Sequence, residues 1–430
     1  MSSHKELSEQ LKTDIVVVGA GIAGLSAALE AAETGYNVLL IEKNPYIGGR
    51  VAQLYEYFPK LCPPTCGLEI NIRRLRENNK ISLLTLSVIK QINKENGTYQ
   101  LLVQQNPRYV NNRCTLCDEC VKVCPVSRPN EFNFGLDTTR AIYYPYNNAY
   151  PQKYVIDENF CRFENCKMCV EVCKYNAIDL NEKKKLYEIE AKAIIWATGW
   201  DPYDASKLEN LGYRKYPNVI TNMMLERIAS PTGPTNGVLK LPNFDYPIDE
   251  IAFVQCAGSR DENHLEYCSS ICCLASMKQA HYIRTNYPKA KIHIFYIDLR
   301  ASGILEDFYT KTKSDPLIEF HRGKVAKVTK SSSNHRLIVE AENTLTGVLI
   351  QKEVDLVVLA TGMQPTTSKK IIPLDNIIDE NGFVRNDHND GIIGCGVCVG
   401  PKDVATVVQE ATGAAMKAIV NVKEGKNGNF

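Results

Sequence analysis

The chain has 430 residues, a formal net charge of +1 and 16 cysteines. Its length exceeds what one hydrophobic core usually supports and indicates two or three structural units. The near-zero charge argues against nucleic acid as a partner, and the lack of an apolar run of about 18 residues predicts that the chain does not itself span a membrane. The N-terminus shows no apolar leader segment, so we expect a reducing, cytoplasmic location in which disulfides are rare.

The first predicted unit binds a dinucleotide and covers residues 14–42, DIVVVGAGIAGLSAALEAAETGYNVLLIE. A strand, a helix and a second strand are predicted at 14–18, 25–33 and 37–41. The turn after the first strand has the pattern G-x-G-x-x-G, with Gly19, Gly21 and Gly24. Such glycines permit a tight turn, close approach of the backbone to a diphosphate, and close packing of helix on strand. Glu42 follows the second strand, where a carboxylate can accept a hydrogen bond from a ribose hydroxyl.

Further segments resemble the two-dinucleotide-binding flavoproteins of the thioredoxin-reductase type. Gly49 and Arg50 belong to a G-G-R segment that packs on the flavin diphosphate in that family. Two apolar strands run into Ala-Thr-Gly, at 194–200 and 356–365, where the chain of that family passes between domains. Residues 396–418 resemble its last strand-to-helix turn, in which a helix N-terminus points at the flavin ring. The resemblance implies bound FAD, with further contacts at Thr198, Gly199, Gly362, Lys402 and Asp403.

Two cysteine runs between these segments predict an inserted ferredoxin-type domain. Residues 114–125, CTLCDECVKVCP, have the C-x2-C-x2-C-x3-C-P spacing of bacterial ferredoxins, and residues 161–173, CRFENCKMCVEVC, have the spacing C-x4-C-x2-C-x3-C. In ferredoxins with two clusters the fourth cysteine of a run ligates the other cluster. The expected ligand sets of the two [4Fe–4S] clusters are Cys114, Cys117, Cys120 and Cys173, and Cys161, Cys166, Cys169 and Cys124.

The second run departs from the ferredoxin pattern at two positions. Its first gap is four residues long, which leaves the ligation by Cys161 less well defined, and Lys174 stands where proline is common. Zinc ribbons also use C-x2-C pairs, but they need two pairs rather than two runs of four. The spacing therefore favours iron–sulfur clusters over zinc.

A second Rossmann-like unit is predicted over residues 251–298, with strands at 251–255 and 292–297 and a helix at 274–284. In an enzyme that uses NAD(P)H, the turn after the first strand would carry another glycine fingerprint. The sequence instead supplies Cys256, Cys268, Cys272 and Cys273. We expect these thiols to hold a third [4Fe–4S] cluster, and the helix dipole to lower the pKa of the cysteines at its start.

Two alternatives compete for this third cysteine set. A redox disulfide, as in thioredoxin reductases, would strain the backbone if it joined Cys272 to Cys273, and it would leave Cys256 and Cys268 unexplained. Purely structural cysteines are compatible with packing, but the clustering of the four argues against them. If the cluster is present, the second unit does not bind NAD(P)H.

The same part of the sequence resembles a known family. The cysteine pattern, with KQA at 278–280 and FYIDLR at 295–300, resembles the A-type subunit of heterodisulfide reductases. Longer stretches resemble the A-type subunit of the quinone-interacting membrane-bound oxidoreductase, Qmo, at 57–71, 106–114, 252–280 and 357–365. The resemblance implies a complex with a second flavin and iron–sulfur subunit, and with a membrane haem subunit through which the chain is attached peripherally to the membrane. It also implies adenylylsulfate reductase as the partner, in dissimilatory sulfate reduction.

The remaining cysteines and the histidines leave open questions. Cys62 and Cys66 could ligate metal with an outside partner or with Cys395 and Cys398, which would give a fourth cluster. They could equally be a redox-inactive pair, and a structural role is favoured for Cys395 and Cys398. The seven histidines are scattered without paired spacing, so no haem or zinc role is expected for them.

These features predict an α/β, two-dinucleotide-binding flavoprotein with an inserted α+β ferredoxin domain. The expected segments are an FAD-binding domain at 1–105, 183–205 and 346–430, the insert at 106–182, and the second Rossmann-like domain at 206–345. The resemblance implies that the chain transfers electrons between the membrane quinone pool and adenylylsulfate reductase. Because no residue resembles a nucleophile or a general acid–base pair, an electron conduit is favoured over a stand-alone catalyst. Alternatives are a heterodisulfide-reductase-like subunit for a thiol/disulfide partner and a self-contained NAD(P)H-dependent flavin oxidoreductase.

Overall fold

The computed structural model describes residues 8–332, 334–369, 377–386 and 392–427. The strands within these ranges are β1 (Ser8–Lys12), β2 (Ile15–Val18), β3 (Val38–Ile41), β4 (Ile81–Leu84), β5 (Ser87–Glu95), β6 (Thr98–Gln105), β7 (Ser127–Pro129), β8 (Thr138–Arg140), β9 (Ile142–Tyr143), β10 (Val155–Ile156), β11 (Lys185–Ala191), β12 (Ala193–Trp196), β13 (Trp200–Pro202), β14 (Val219–Thr221), β15 (Glu250–Ala257), β16 (Lys291–Tyr296), β17 (Ile318–Arg322), β18 (Val325–Lys330), β19 (Leu337–Glu342), β20 (Leu349–Val354), β21 (Leu356–Thr361), β22 (Met363–Pro365) and β23 (Ile392–Gly394). The α-helices are α1 (Ile22–Glu33), α2 (Thr65–Glu77), α3 (Glu119–Val123), α4 (Met168–Val172), α5 (Asn222–Ala229), α6 (Cys272–Asn286), α7 (Leu305–Lys313) and α8 (Val404–Asn427).

The first unit is built on a five-stranded parallel sheet in the order β23-β12-β2-β3-β4. Its central strand, β2, is a run of β-branched residues that are all buried, as expected for a strand covered on both faces. Helices α1 and α8 pack together on one face of the sheet. Alanines line both helices at this contact, and their small side chains let the two helices approach closely.

The other face of this sheet is covered by a four-stranded sheet in the order β1-β11-β6-β5. Side chains along β6 and β11 alternate between buried and more exposed positions. This period of two is typical of a sheet with one face in the core. The buried residues of these strands, such as Leu101 and Ile189, pack against Val16 and Val18 of β2.

Residues 106–182 lie between β6 and β11, which pair with each other in an antiparallel ladder. The segment is therefore an insertion between two neighbouring strands. It contains α3 and α4, which pack together, and the short ribbons β7–β8 and β9–β10. Its small core combines a few apolar residues with six of the eight cysteines of the two runs.

The second unit has a five-stranded parallel sheet in the order β14-β21-β15-β16-β17, flanked by an antiparallel sheet of β18, β19 and β20. The expected end of the second unit at residue 345 does not coincide with the end of this strand pairing. Strands β20 and β21 follow that residue, yet β20 pairs with β19 and β21 lies between β14 and β15. By its sheet pairing the second unit therefore extends to Thr361.

The chain crosses between the two units at two Ala-Thr-Gly segments, as the sequence predicts. The residues that follow them form an antiparallel ribbon of β13 and β22, in which Trp200 lies opposite Pro365. No α-helix within the described ranges combines the length and apolar composition that a membrane crossing requires.

Candidate functional site

The glycine turn after β2 is packed too closely for side chains at two positions. Gly19 has a φ of +99°, and a Cβ atom there would lie 2.4 Å from the carbonyl oxygen of Ala197. A Cβ atom at Gly24 would lie 1.7 Å from the carbonyl oxygen of Gly19. Helix α1 then starts after Gly21 with no side-chain cap and no acidic residue in its first turn. Its positive end is thus available to an anion such as a diphosphate.

Glu42 is buried at the carboxyl end of β3 and braces this turn. Its Oε2 accepts a hydrogen bond from the Ala20 amide at 2.7 Å, and its Oε1 accepts one from the Asn44 amide at 2.9 Å. Burial raises the pKa of the carboxyl group. Because each carboxylate oxygen has a second lone pair, these contacts leave capacity for the predicted ribose hydroxyl.

The G-G-R segment lies against the same turn, but its arginine points elsewhere. Gly49 has a φ of +57°, and a Cβ atom there would lie 2.9 Å from the Cα atom of Gly21. Arg50 forms an ion pair with Asp201 at 2.5 Å and donates to the carbonyl oxygen of Trp200 at 3.2 Å. Arg50 thus ties the flavin loop to the crossing ribbon, and its contact with a diphosphate stays a prediction.

The other predicted flavin contacts lie at the crossings and at the start of α8. Thr198 Oγ1 accepts a hydrogen bond from Trp196 Nε1 at 3.1 Å, and Gly199 has a φ of +68° with no atom close to the position of a Cβ. A Cβ atom at Gly362 would lie 2.3 Å from Ser259 Oγ, so this glycine packs on the loop before Cys268.

Two residues predicted to contact the flavin, Lys402 and Asp403, lie at the start of α8 and form contacts with that helix; their contact with the flavin stays a prediction. The Lys402 ammonium group is 2.7 Å from Glu410 Oε1. Asp403 caps α8, because its Oδ1 accepts a hydrogen bond from the Thr406 amide at 2.9 Å. Side chains in place of the glycines would fill the cradle after β2. This cradle and the start of α8, which Lys402 and Asp403 hold in place, fit a bound FAD.

The structure brings the cysteines of the insert into two groups that match the predicted sets. A small cavity is lined by Cys114, Cys117, Cys120 and Cys173, together with apolar side chains. Around the other group, burial and then the nearby Cys161, Cys124 and Cys166 thiols raise the pKa of Cys169 to about 11. The exchange of the fourth cysteine between runs is present in the fold, while iron ligation stays a prediction.

The two cysteine groups of the insert are neighbours. Burial, and after it the Cys114, Cys169 and Cys117 thiols, raise the pKa of Cys120 to about 12. Cys120 and Cys169 belong to different groups and lie on the packed helices α3 and α4. Such proximity suits electron transfer between two clusters.

The insert is docked on both units. Tyr146 Oη donates to the carbonyl oxygen of Ile47 at 2.8 Å, next to the flavin loop. On the second unit, Arg227 Nε donates to Asn133 Oδ1 at 2.8 Å. The tyrosine-rich stretch at 141–154 thus contributes contacts between the insert and the first unit.

In the second unit, four thiols meet at the turn between β15 and α6. The register of β15 against β21 shifts between Val254 and Ala257, and Cys256 within this bulge has a φ of +56°. Cys272 and Cys273 are the first residues of α6. Burial, and after it the nearby Cys273 and Cys268 thiols, raise the pKa of Cys256 to about 11.

The predicted lowering of the thiol pKa values at the start of α6 is wrong. Burial raises the pKa of both Cys272 and Cys273 above the ordinary value of a thiol. A buried thiol in such surroundings stays protonated until a metal cation replaces the proton. The four cysteines therefore suit metal ligation better than thiol–disulfide exchange.

The loop that carries Cys268 is fixed by polar contacts that the sequence analysis missed. Ser259 Oγ and Ser269 Oγ are 2.8 Å apart, and Ser269 Oγ accepts a hydrogen bond from the Met363 amide at 2.9 Å. Nearby, Asp298 forms ion pairs with Arg260 and, at 4.0 Å, with Arg300. No local sequence pattern predicts the contact between Ser259 and Ser269, because the two residues meet only in the folded loop.

The spacing of the cysteine sulfur atoms bears on the zinc alternative. Four thiolates on one zinc ion, with Zn–S bonds of about 2.3 Å, place their sulfur atoms about 3.8 Å apart. In the part of the chain that the structure describes, which includes all 16 cysteines, no three sulfur atoms lie within 4.8 Å of one another. Among any three of these sulfur atoms, at least one pair is therefore farther apart than in a zinc tetrathiolate.

The four remaining cysteines differ in exposure. Cys62 and Cys66 are exposed, whereas Cys395 and Cys398 are buried. Cys398 Sγ donates to the carbonyl oxygen of Trp196 at 3.0 Å, and burial raises its pKa to about 12. The favoured structural role of Cys395 and Cys398 agrees with this environment.

Comparison with known proteins supports the fold and FAD as a cofactor. Residues 14–117 match a family model described as FAD dependent oxidoreductase. Among solved structures, the thioredoxin reductases of Lactococcus lactis and T. acidophilum match with TM-scores of 0.54 and 0.52 at 16% and 14% identity. They cover 96% and 97% of this chain and 99% of their own chains. The predicted thioredoxin-reductase-type fold class is confirmed.

Curated relatives match over almost the whole chain. An A-type iron–sulfur subunit of the CoB–CoM heterodisulfide reductase of Methanopyrus kandleri is 37% identical over 98% of this chain and 67% of its own length. The corresponding subunit of Methanocaldococcus jannaschii is 36% identical over 96% of this chain. The A-type subunit of the H2:CoB–CoM heterodisulfide,ferredoxin reductase of Methanothermobacter marburgensis is 35% identical, also over 96%. The chain spans 64% of the length of the latter two relatives.

Proposed function

Because this chain belongs to the family of A-type iron–sulfur subunits of heterodisulfide reductases, we propose that it is an electron-transfer subunit of a larger oxidoreductase complex. The observation that carries the proposal is the meeting of Cys256, Cys268, Cys272 and Cys273 at the turn after β15. In this fold, a glycine turn at that place would cradle the phosphates of a nicotinamide cofactor. Thiols in place of that cradle support iron–sulfur chemistry in the second unit.

The chain's own residues supply three cysteine sets and a dinucleotide cradle. Gly19, Gly24 and Glu42 would hold FAD in the first unit, and the twelve cysteines of the three sets would hold [4Fe–4S] clusters. When bound, FAD exchanges two electrons at once or in single steps, whereas each cluster exchanges one. The insert contacts both units through Tyr146 and Arg227. The arrangement therefore suits an electron conduit, and the sequence shows no candidate nucleophile or acid–base pair.

The surroundings of the third cysteine set also argue against NAD(P)H as the electron donor. The bulge at Cys256 replaces the tight glycine turn that a diphosphate needs. Where the loop continues, Tyr203 packs on Gly258, and a Cβ atom there would lie 2.5 Å from its ring. The turn is thus filled by protein and thiols.

We further propose that the electrons pass between adenylylsulfate reductase and a quinone-linked subunit in the membrane. The long stretches that resemble the A-type subunit of Qmo, at 57–71 and 252–280, support this choice. The partners would be a second flavin and iron–sulfur subunit, together with a membrane haem subunit. These partners would hold this cytoplasmic chain at the membrane.

A second candidate function is electron transfer to a thiol/disulfide partner. It is favoured by the relatives, since the names of the M. kandleri, M. jannaschii and M. marburgensis proteins all specify a CoB–CoM heterodisulfide. The two candidates share the cofactors and differ only in the electron partner.

The first experiment asks which soluble donor reduces the chain. The cofactor-loaded protein is mixed anaerobically with NADH or NADPH, and flavin absorbance is followed. We expect no rapid bleaching by either nucleotide but bleaching by dithionite. Rapid bleaching by NADH or NADPH would contradict the proposal and favour a self-contained flavin oxidoreductase.

The second experiment compares the two electron partners. The complex is isolated anaerobically from its native cells through a tag on this chain and is reduced with a quinol analogue. We expect reoxidation on addition of adenylylsulfate with its reductase, and none with a heterodisulfide. The opposite pattern would replace the first candidate by the second. A Cys268→Ala complex should lose reoxidation, while a Cys398→Ala complex serves as the matched control.

A further inference from the structure

Three potential metal ligands meet on one face of the second unit's sheet, away from the cysteine sets. In the parallel ladder of β16 and β17, His293 lies opposite Glu319. His321 follows two residues after Glu319 and so points to the same face of the sheet. Register thus joins two histidines that are 28 positions apart in the sequence. The expectation that the histidines have no haem or zinc role rested on local spacing, which does not reveal strand register.

The distances between the three ligand atoms fit one small cation. His293 Nδ1 is 3.0 Å from His321 Nε2, and Glu319 Oε2 is 3.4 Å from each of these nitrogens. Zinc bonds to nitrogen and oxygen of about 2.0–2.1 Å in a tetrahedron place neighbouring ligand atoms about 3.3–3.4 Å apart. The three atoms therefore form the face of such a tetrahedron with little adjustment.

A neighbouring carboxylate fixes the ring of His293 in the orientation that ligation needs. His293 Nε2 lies 2.9 Å from Glu250 Oε1, so the proton belongs on Nε2 and the lone pair of Nδ1 faces the other two ligands. Glu250 is itself held by Arg336 Nη2 at 2.5 Å. A carboxylate behind a ligating histidine is a recurrent feature of zinc sites.

Burial leaves the site rigid on one side and accessible on the other. The His293 side chain is 2% exposed and that of Glu319 is 48% exposed. A cation can thus enter beside Glu319, where water can complete its coordination. Lys352 Nζ lies 2.9 Å from Glu319 Oε2 and balances the charge of this carboxylate. The Lys352 side chain is partly exposed and can move away from Glu319 when a cation binds.

We propose that His293, His321 and Glu319 bind a divalent transition-metal cation of the zinc type, which fastens edge strand β17 to β16. Nitrogen and oxygen ligands distinguish this site from the sulfur sites of the rest of the chain. The binding step exchanges the solvent ligands of the cation for three side chains and requires no redox partner.

The test uses protein fully loaded with flavin and iron, in a Cys62→Ser/Cys66→Ser background that removes the exposed thiols outside the three predicted cluster sets. Zinc binding is measured by equilibrium dialysis and elemental analysis. We expect about one zinc ion per chain, an affinity roughly 100-fold or more lower in His321→Gln and Glu319→Gln, and an affinity about 10- to 100-fold lower in Glu250→Gln. Lys352→Gln should bind zinc more tightly, because it removes a competing cation.

His281→Gln is the matched control, since His281 is a partly buried histidine on α6 whose Nε2 forms a hydrogen bond with Thr312 Oγ1. It should bind zinc as the background protein does. Iron and flavin contents report folding in every variant, and the exposed Glu319 supplies a variant that keeps the test valid if His321→Gln misfolds. Absence of stoichiometric zinc in the background protein, or unchanged affinity in Glu319→Gln, would overturn the proposal.

Discussion

Replacement of Lys278 by methionine should loosen the helix that presents Cys272 and Cys273. Lys278 lies on α6, and its ammonium group is 2.7 Å from Glu226 Oε1 on α5. It also donates to the carbonyl oxygen of Glu56 at 2.8 Å. Both side chains of the ion pair are at most 4% exposed, so Lys278→Met leaves a buried carboxylate without its cation.

The magnitude follows from the contacts that remain. Removing one partner of a buried ion pair costs about 3–5 kcal/mol. Glu226 keeps hydrogen bonds from Tyr282 Oη at 2.8 Å, Gln279 Nε2 at 2.6 Å and the Tyr55 amide at 2.9 Å. We therefore expect the lower end, about 3 kcal/mol. Since about 1.4 kcal/mol corresponds to a factor of ten, the amides of α6 should exchange hydrogen roughly 100-fold faster.

The assay is hydrogen–deuterium exchange with mass spectrometry on the anaerobic, cofactor-loaded protein. Lys327→Met is the control, because the Lys327 side chain is 53% exposed and its ion pair with Glu340 is worth at most about 1 kcal/mol. A Glu226→Gln/Lys278→Met double variant should exchange more slowly than Lys278→Met, since a neutral amide is easier to bury. Exchange of α6 in Lys278→Met at the wild-type rate would refute the reasoning.

Three further predictions concern the cofactor sites. Gly24→Ala should abolish FAD retention after purification, because the new Cβ atom would lie 1.7 Å from the Gly19 carbonyl oxygen. Gly67→Ala is the control and should retain FAD, because no atom lies within 4 Å of the position of its Cβ atom. Equal flavin content in the two variants would contradict the prediction. Cys398→Ala should keep the wild-type iron content, and a loss of about four irons would instead make Cys398 a ligand. The iron-free chain should lose stability as the pH rises from about 9 to about 11, measured as the midpoint of denaturant unfolding. Burial raises the pKa of Cys256 to about 11, and a thiol with a raised pKa stabilises the fold only while it is protonated. The decline should be smaller in Cys256→Ala, and an equal decline would count against the buried thiol as its cause.

The parts of the fold that depend on local chemistry could be predicted from the sequence. The first strand, the glycine turn and α1 were expected at 14–33 and are found from Ile15 to Glu33. The residue types of this segment determine its structure, because β-branched residues form the buried strand and only a glycine at position 24 fits beneath the Gly19 carbonyl group. The cysteine spacing of the insert likewise predicts the grouping that the structure shows.

The parts that depend on contacts between distant residues could not be predicted. Arg50 and Asp201 are 151 positions apart, and neither belongs to a sequence pattern that predicts their ion pair. The meeting of His293 with Glu319 requires the register of β16 and β17. The expected boundary at residue 345 differs from the sheet pairing for the same reason, since the membership of β21 is decided by its pairing with β15.

The iron and acid-labile sulfide content per FAD tests the central claim most directly. Three cubanes predict about twelve irons per FAD in the wild-type protein, and Cys268→Ala/Cys273→Ala should reduce this to about eight without loss of flavin. About eight irons in the wild-type protein, or an unchanged content in the double variant, would contradict an iron–sulfur cluster at the turn between β15 and α6.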